Sequence, residues 1–78
     1  MSTNWENKFN ELLKGKTIDH VRWMTKDEAD HMMWYSRPMV IVFTDGTALY
    51  PQSDDEGNDG GALHYQGNDG GQTIWVER

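Results

Sequence analysis

The sequence predicts a small α+β domain, with two short helices packed on one face of an antiparallel sheet of about four to five strands. Three observations carry that expectation. Two Thr-x-x-Glu words, Thr3–Glu6 and Thr25–Glu28, each open a stretch with helical apolar spacing. A continuous apolar run, Met39-Val40-Ile41-Val42-Phe43, leads through Thr44 into Asp45-Gly46. The word Gly-Asn-Asp-Gly-Gly occurs at 57–61 and again at 67–71, and a short strand-like run follows each copy.

The first helix is expected over about residues 4–14. Thr3 and Glu6 form a capping box, in which the hydroxyl accepts from the Glu amide and the carboxylate reaches back. Trp5, Phe9, Leu12 and Leu13 fall at i, i+4, i+7 and i+8, one apolar stripe. Gly15 suits the position after the last turn, where φ is positive. Residues 16–24 then alternate in part, with Ile18, Val21 and Trp23 favouring a strand. The phase is mixed, and a bulge would reconcile it.

Thr25-Lys26-Asp27-Glu28 is the second capping box, with Met24 and Ala29 placed as a hydrophobic staple. Ala29, Met32 and Met33 give a narrow stripe over a helix at about 26–34. Pro38 pushes Arg37 out of helical geometry and bars any continuation. The run 39–43 is too short for a helix and rich in β-branched residues, so it reads as the central strand, covered on both faces. Asp45-Gly46 predicts a two-residue hairpin turn with both residues at positive φ. Residues 47–50 return as the partner strand and Pro51 stops it. Leu63-His64-Tyr65 and Thr73-Ile74-Trp75-Val76 are the remaining strands, separated by the repeated glycine-rich turn.

The chain has 78 residues and is read as one domain, 1–78, with no linker. At this length folding buries only about 60% of the unfolded surface. There is no cysteine to form a disulfide or thiolate-metal staple. Four Trp, three Tyr and two Phe are more ring surface than so small a core accommodates, which predicts a homodimer. The net charge of −6 repels phosphate backbones and disfavours nucleic-acid binding. No window approaches the ~18 apolar residues of a membrane span, and the opening residues lack the pattern of a signal peptide. A cytoplasmic protein is the expectation.

Two regions are candidates for function. The first is the aromatic segment Trp34-Tyr35-Ser36-Arg37-Pro38, which has the composition of an interaction hot spot, with Arg37 able to stack on a ring. The structural alternative has Trp34 closing the core and Arg37 pairing with a loop carboxylate. The second is the acidic loop 53–61, in which Asp54, Asp55, Glu56, Asn58 and Asp59 could meet a partner or a ligand. Asp54, Glu56, Asn58 and Asp59 are the calcium candidates, because oxygen ligands often alternate along a loop. The loop fits no EF-hand: the sixth place from Asp54 holds Asp59 instead of Gly, and the twelfth holds Tyr65 instead of Glu. The structural alternative is a solvated turn in which Asp and Asn bond their own backbone. Neither glycine-rich turn is followed by a helix, as a phosphate cradle requires. His20, His31 and His64 lack the spacing of a helical metal pair. No nucleophile or carboxylate pair stands at a recognisable catalytic spacing, so no catalytic residue or cofactor is assigned; a carboxylate hydrolase and an acidic mimic of DNA are the lesser alternatives.

Arg37-Pro38, the apolar strand, Asp45-Gly46-Thr47, Pro51, Asp55-Glu56-Gly57-Asn58 and Gly61-Ala62-Leu63 together resemble a small family of uncharacterised proteins of bacteria and their phages. Its members carry a strand, an Asp-Gly-Thr turn, and an Asp-x-Glu-Gly-Asn stretch ending in Gly-Ala-Leu. Asp54 and Glu56 match that Asp and Glu. The resemblance covers about residues 37–63 and implies no activity. It implies that the acidic loop belongs to the fold. The expected function is that of a small non-enzymatic interaction or adaptor protein, encoded by a bacterium or phage, with a ligand- or cation-binding module as the alternative.

Overall fold

The computed structural model describes residues 2–78. The chain is α+β, as expected, with the order α1 (Ser2–Leu13), β1 (Ile18–Trp23), α2 (Lys26–His31), β2 (Met39–Phe43), β3 (Ala48–Leu49), β4 (Leu63–Gln66) and β5 (Gly71–Ile74). The five strands divide into two antiparallel sheets, one of order β1-β2-β3 and one pairing β4 with β5. The apolar run 39–43 is the central strand of the larger sheet.

α1 begins within two residues of its expected start and ends at Leu13, and Gly15 beyond it takes φ +80°. The Thr3 half of the first capping box lies outside the described side chains. The apolar stripe of α1 differs from expectation. Trp5, Phe9 and Leu12 are each more than half exposed, and only the last turn approaches the sheet, where Leu12 and Leu13 border a shallow cleft with Phe43 and Leu49. Trp5 packs instead along its own helix, tilted against Phe9 at 5.9 Å and under the Lys8 ammonium at 5.0 Å.

β1 carries the irregularity that its mixed phase implied: the register to β2 shifts between Ile18 and His20, leaving Asp19 as a bulge. The second capping box forms in both halves. Thr25 accepts from the Glu28 amide at 3.1 Å, and the Thr25 amide donates to Glu28 Oε1 at 2.9 Å. Met24 and Ala29, the staple pair, are both buried.

α2 ends at His31, about three residues short of expectation. The Trp34 amide donates to Ala29 O at 2.8 Å and the Met33 amide to Asp30 O at 3.0 Å. This 6→1 and 5→2 pair is a Schellman motif, with Met33 in the left-handed position that glycine usually takes, at φ +62°. The turn releases the Met33 side chain to solvent and drops Trp34 onto Ala29. Termination therefore happens well before Pro38, whose ring is fully buried.

The turn after β2 also differs. The Gly46 amide donates to Phe43 O at 3.0 Å and the Phe43 amide to Thr47 O at 2.9 Å. The loop is thus three residues, Thr44-Asp45-Gly46, and only Gly46 takes positive φ, at +88°. It is a type I turn closed by a glycine bulge. Asp45 fixes it by accepting from the Thr47 amide, the Thr47 hydroxyl and the Lys16 ammonium. These contacts hold the Asp45 carboxyl well below the usual carboxylate range, the Lys16 bond being the largest cause.

The core is small. Met24, Ala29, Trp34 and Val40 form its centre, with Met32 and Val42 packed against it. The C-terminal segment returns to this region: Arg37 and Glu77 exchange both backbone hydrogen bonds, at 2.7 and 2.9 Å. No helix among the described residues is long and apolar enough to cross a membrane.

Candidate functional site

The two copies of Gly-Asn-Asp-Gly-Gly do unlike work. The second copy is the hairpin loop between β4 and β5, closed by the Gly67 amide donating to Gly70 O at 2.8 Å. The first copy is pinned to the core. Asp59 accepts from the Ser36 amide at 2.9 Å, the Ser36 hydroxyl at 3.3 Å and the Gly60 amide at 2.8 Å. The Ser36 amide bond is the largest cause of the Asp59 carboxyl lying below its ordinary range. Gly60 is required by close approach, since a β-carbon there would stand 2.6 Å from the buried Pro38 ring.

Trp34 joins the same anchor. Its indole N–H donates to Gly57 O at 2.7 Å, and its ring meets Tyr50 edge-on at 5.9 Å. With 5% of its surface exposed, Trp34 is a core residue and presents nothing to a partner. Its neighbour Tyr35 is 86% exposed. Arg37 is half-buried and donates to Met24 O at 3.4 Å, with no loop carboxylate as partner. The expected aromatic patch is therefore divided: Tyr35 faces solvent, while Trp34 and Arg37 join the loop and helix to the sheet.

The rest of the acidic loop turns inward on itself. Asp54 accepts from the Glu56 amide at 3.0 Å, the Asn58 amide at 3.3 Å and the Asn58 side-chain nitrogen at 2.8 Å. The same nitrogen reaches Glu56 Oε1 at 3.3 Å. The Asn58 bonds lower the Asp54 carboxyl below its ordinary range. Asn58 so meets the carboxylates as a donor, the reverse of what a shared cation asks of it. Asp59 points away to Ser36. Of the four calcium candidates Asp54, Glu56 and Asn58 thus lie together and Asp59 stands apart, and no group of three or more His, Cys, Asp or Glu that could hold a metal ion occurs among the described residues. Asp54, Asp55 and Glu56 are exposed, and none of them lines the cleft beside α2, the one between Trp23 and Trp75 or the one at the end of α1. No loop carboxylate has the apolar setting that would make it a general acid.

One feature was not read from the sequence. An open cleft of about 480 Å³ lies between α2 and the sheet, floored by Met24, Met32, Val40, Ala48 and Tyr50 and edged by Arg22, Asp27, Glu28 and His31. The Arg22 guanidinium bonds both Glu28 oxygens, at 2.9 and 3.1 Å. That bond, ahead of the Thr25 amide, lowers the Glu28 carboxyl to about 2. The six-residue spacing from Arg22 to Glu28 spans a strand end and a helix start, so neither strand nor helix periodicity flags it.

The α1 stripe is a second apolar surface left uncovered. Trp5, Phe9 and Leu12 are 58%, 55% and 62% exposed, and they lie on one face of a helix that its own chain supports only at the last turn. Comparison with protein-family models, with curated proteins and with solved structures finds no match to this chain.

Proposed function

We propose that the chain is a small, non-enzymatic interaction protein whose main contact surface is the apolar face of α1. The observation that carries this reading is the exposure of Trp5, Phe9 and Leu12 together on one helix face. A helix of 12 residues is at the edge of stability in water without tertiary support. An aromatic face on such a helix gains most by lying against another protein, in the helix-in-groove manner. The hydrogen bonding of the acidic loop favours a structural role for it over a cation or hydrolase site, because Asp54, Glu56 and Asp59 are spent on the loop's backbone, on Asn58 and on Ser36. An accessory role in a bacterium or phage follows from the resemblance over residues 37–63 and stands with it.

The test is a paired capture experiment with the wild type and the Trp5→Ala/Phe9→Ala double variant, both checked for native circular dichroism. A polypeptide held at near-stoichiometric amount by the wild type and lost from the variant is the expected result; a second copy of the chain counts as such a polypeptide. Equal retention by both proteins, or none by either, overturns the assignment to α1.

A further inference from the structure

We infer that the cleft between α2 and the three-stranded sheet is a binding site for a small amphipathic amine, an aromatic ring joined by a short chain to an ammonium group. The inference goes beyond the α1 reading and is independent of it, since no residue of α1 lines the cleft.

The local sequence opens the space. Val42 stands opposite Ala48, and Val40 lies two residues away on the same strand, so the three side chains share the face under α2. The helix leans on that face through Ala29, which packs with Met24, Val40 and Trp34. Beside this contact β3 supplies only the methyl of Ala48, and a cleft of about 480 Å³ is left. Sites for small molecules run from about 300 to 1,000 Å³.

The floor selects a ring. Met24 and Met32 bring two thioethers to it, and Tyr50 brings an aromatic ring. A thioether adapts to irregular shapes and attracts an aromatic edge at about 5 Å. Met24 is 3% exposed and fixes the base of the cleft, while Met32 is half-buried and unbranched, free to change rotamer around a guest.

The rim selects a cation. The Arg22 guanidinium bonds both Glu28 oxygens, and Lys26 bonds Asp30 at 3.4 Å. Of the Arg, Asp and Glu side chains on the rim, Asp27 alone has no ion-pair partner among the described residues. His31, four residues on, shares its helix face, where a neutral imidazole can accept from the same ammonium. An anionic ligand finds the Arg22 guanidinium already taken, and the net charge of −6 further favours a cation. Asp27 lies five residues before Met32, about 7.5 Å along the helix axis, a span that a chain of a few carbons covers.

The experiment titrates phenylpropylamine, phenylpropanol and phenylpropionate separately into the isotope-labelled full chain, at about pH 8, where a free imidazole is uncharged. Binding is read from the methyl resonances of Met24, Met32, Val40 and Ala48. The amine is expected to shift these methyls and to bind about threefold or more tightly than the alcohol, with the propionate weakest. Asp27→Asn, at an exposed helix position, is expected to bring the amine down to the affinity of the alcohol and to leave the alcohol unchanged. Ala48→Phe, with native circular dichroism, fills the cleft and is expected to abolish the shifts for all three; should it not fold, Asp27→Asn carries the test alone. No methyl shift at millimolar amine, equal affinities for amine and alcohol, an amine margin that survives Asp27→Asn, or binding that survives Ala48→Phe overturns the site. Cleft methyls that move on raising the protein concentration alone would place a second copy there and overturn it too.

Discussion

Asp59 and Asp69 occupy the same place in the same five-residue word, yet only Asp59 meets Ser36. The Ser36 amide and hydroxyl lie in a side chain and backbone that are 4% exposed, so removing their acceptor leaves them without water or partner. A buried group left unpaired costs about 1–3 kcal/mol. Asp59→Ala is therefore expected to lower unfolding stability in urea by about that amount. Asp69→Ala, on an exposed hairpin tip, is expected to stay within about 0.5 kcal/mol of wild type. Equal effects from the two substitutions would show that the Ser36 anchor is not what holds the loop. The sequence word alone could not separate the copies, because the difference lies in Ser36 and Pro38, far from either in the chain.

At the scale of elements, α2 shows which local signals are decisive. Its start is a short-range matter of Thr25, Glu28 and Met24, and it lies where the sequence places it. Its end depends on Trp34 reaching the core, a tertiary demand that draws Met33 into a left-handed conformation and overrides the helical spacing of Met32 and Met33. The hairpin after β2 follows the same division. Asp45-Gly46 announces a turn, but the Asp45 carboxylate bonding Thr47 and Lys16 selects the three-residue form. For α1 the stripe was legible and its burial was not, since spacing tells which face is apolar and not what covers it.

Glu28 links α2 to β1 and makes this joint acid-sensitive. Its folded pKa is about 2 against an ordinary value of 4.5. A depressed carboxylate contributes stability in full above its unfolded pKa, and that contribution fades as pH falls from about 4.5 towards 2. The side chain is 44% exposed, so solvent screening limits the effect to about 1 kcal/mol. Urea midpoints at pH 6 and pH 2.5 should fall further for wild type than for Glu28→Gln. Parallel acid limbs for the two proteins would mean that the Arg22–Glu28 contact adds nothing measurable.

The whole molecule is two small sheets and two helices with one modest core under α2, and much of its aromatic surface lies outside. That distribution was half legible. Composition shows more rings than a chain of this length can bury, while the particular rings left out depend on where Trp34 docks. The one indole in the core is held by Gly57 and edge-packed by Tyr50, and the acidic loop is the clasp that keeps it there.

The placing of the indoles gives the molecule a built-in optical label. Trp34 is buried and hydrogen-bonded, so it is expected to emit to the blue and to resist iodide; Trp5 and Trp75 are each 58% exposed and are expected to emit to the red and to be quenched. Trp5 is the sole indole on α1. Occupation of that helix should therefore shorten the wavelength of the quenchable fraction and leave the Trp34 band where it was, and Trp5→Phe should abolish the change. A shift in the Trp34 band instead would report a molecule whose interior rearranges when it is engaged.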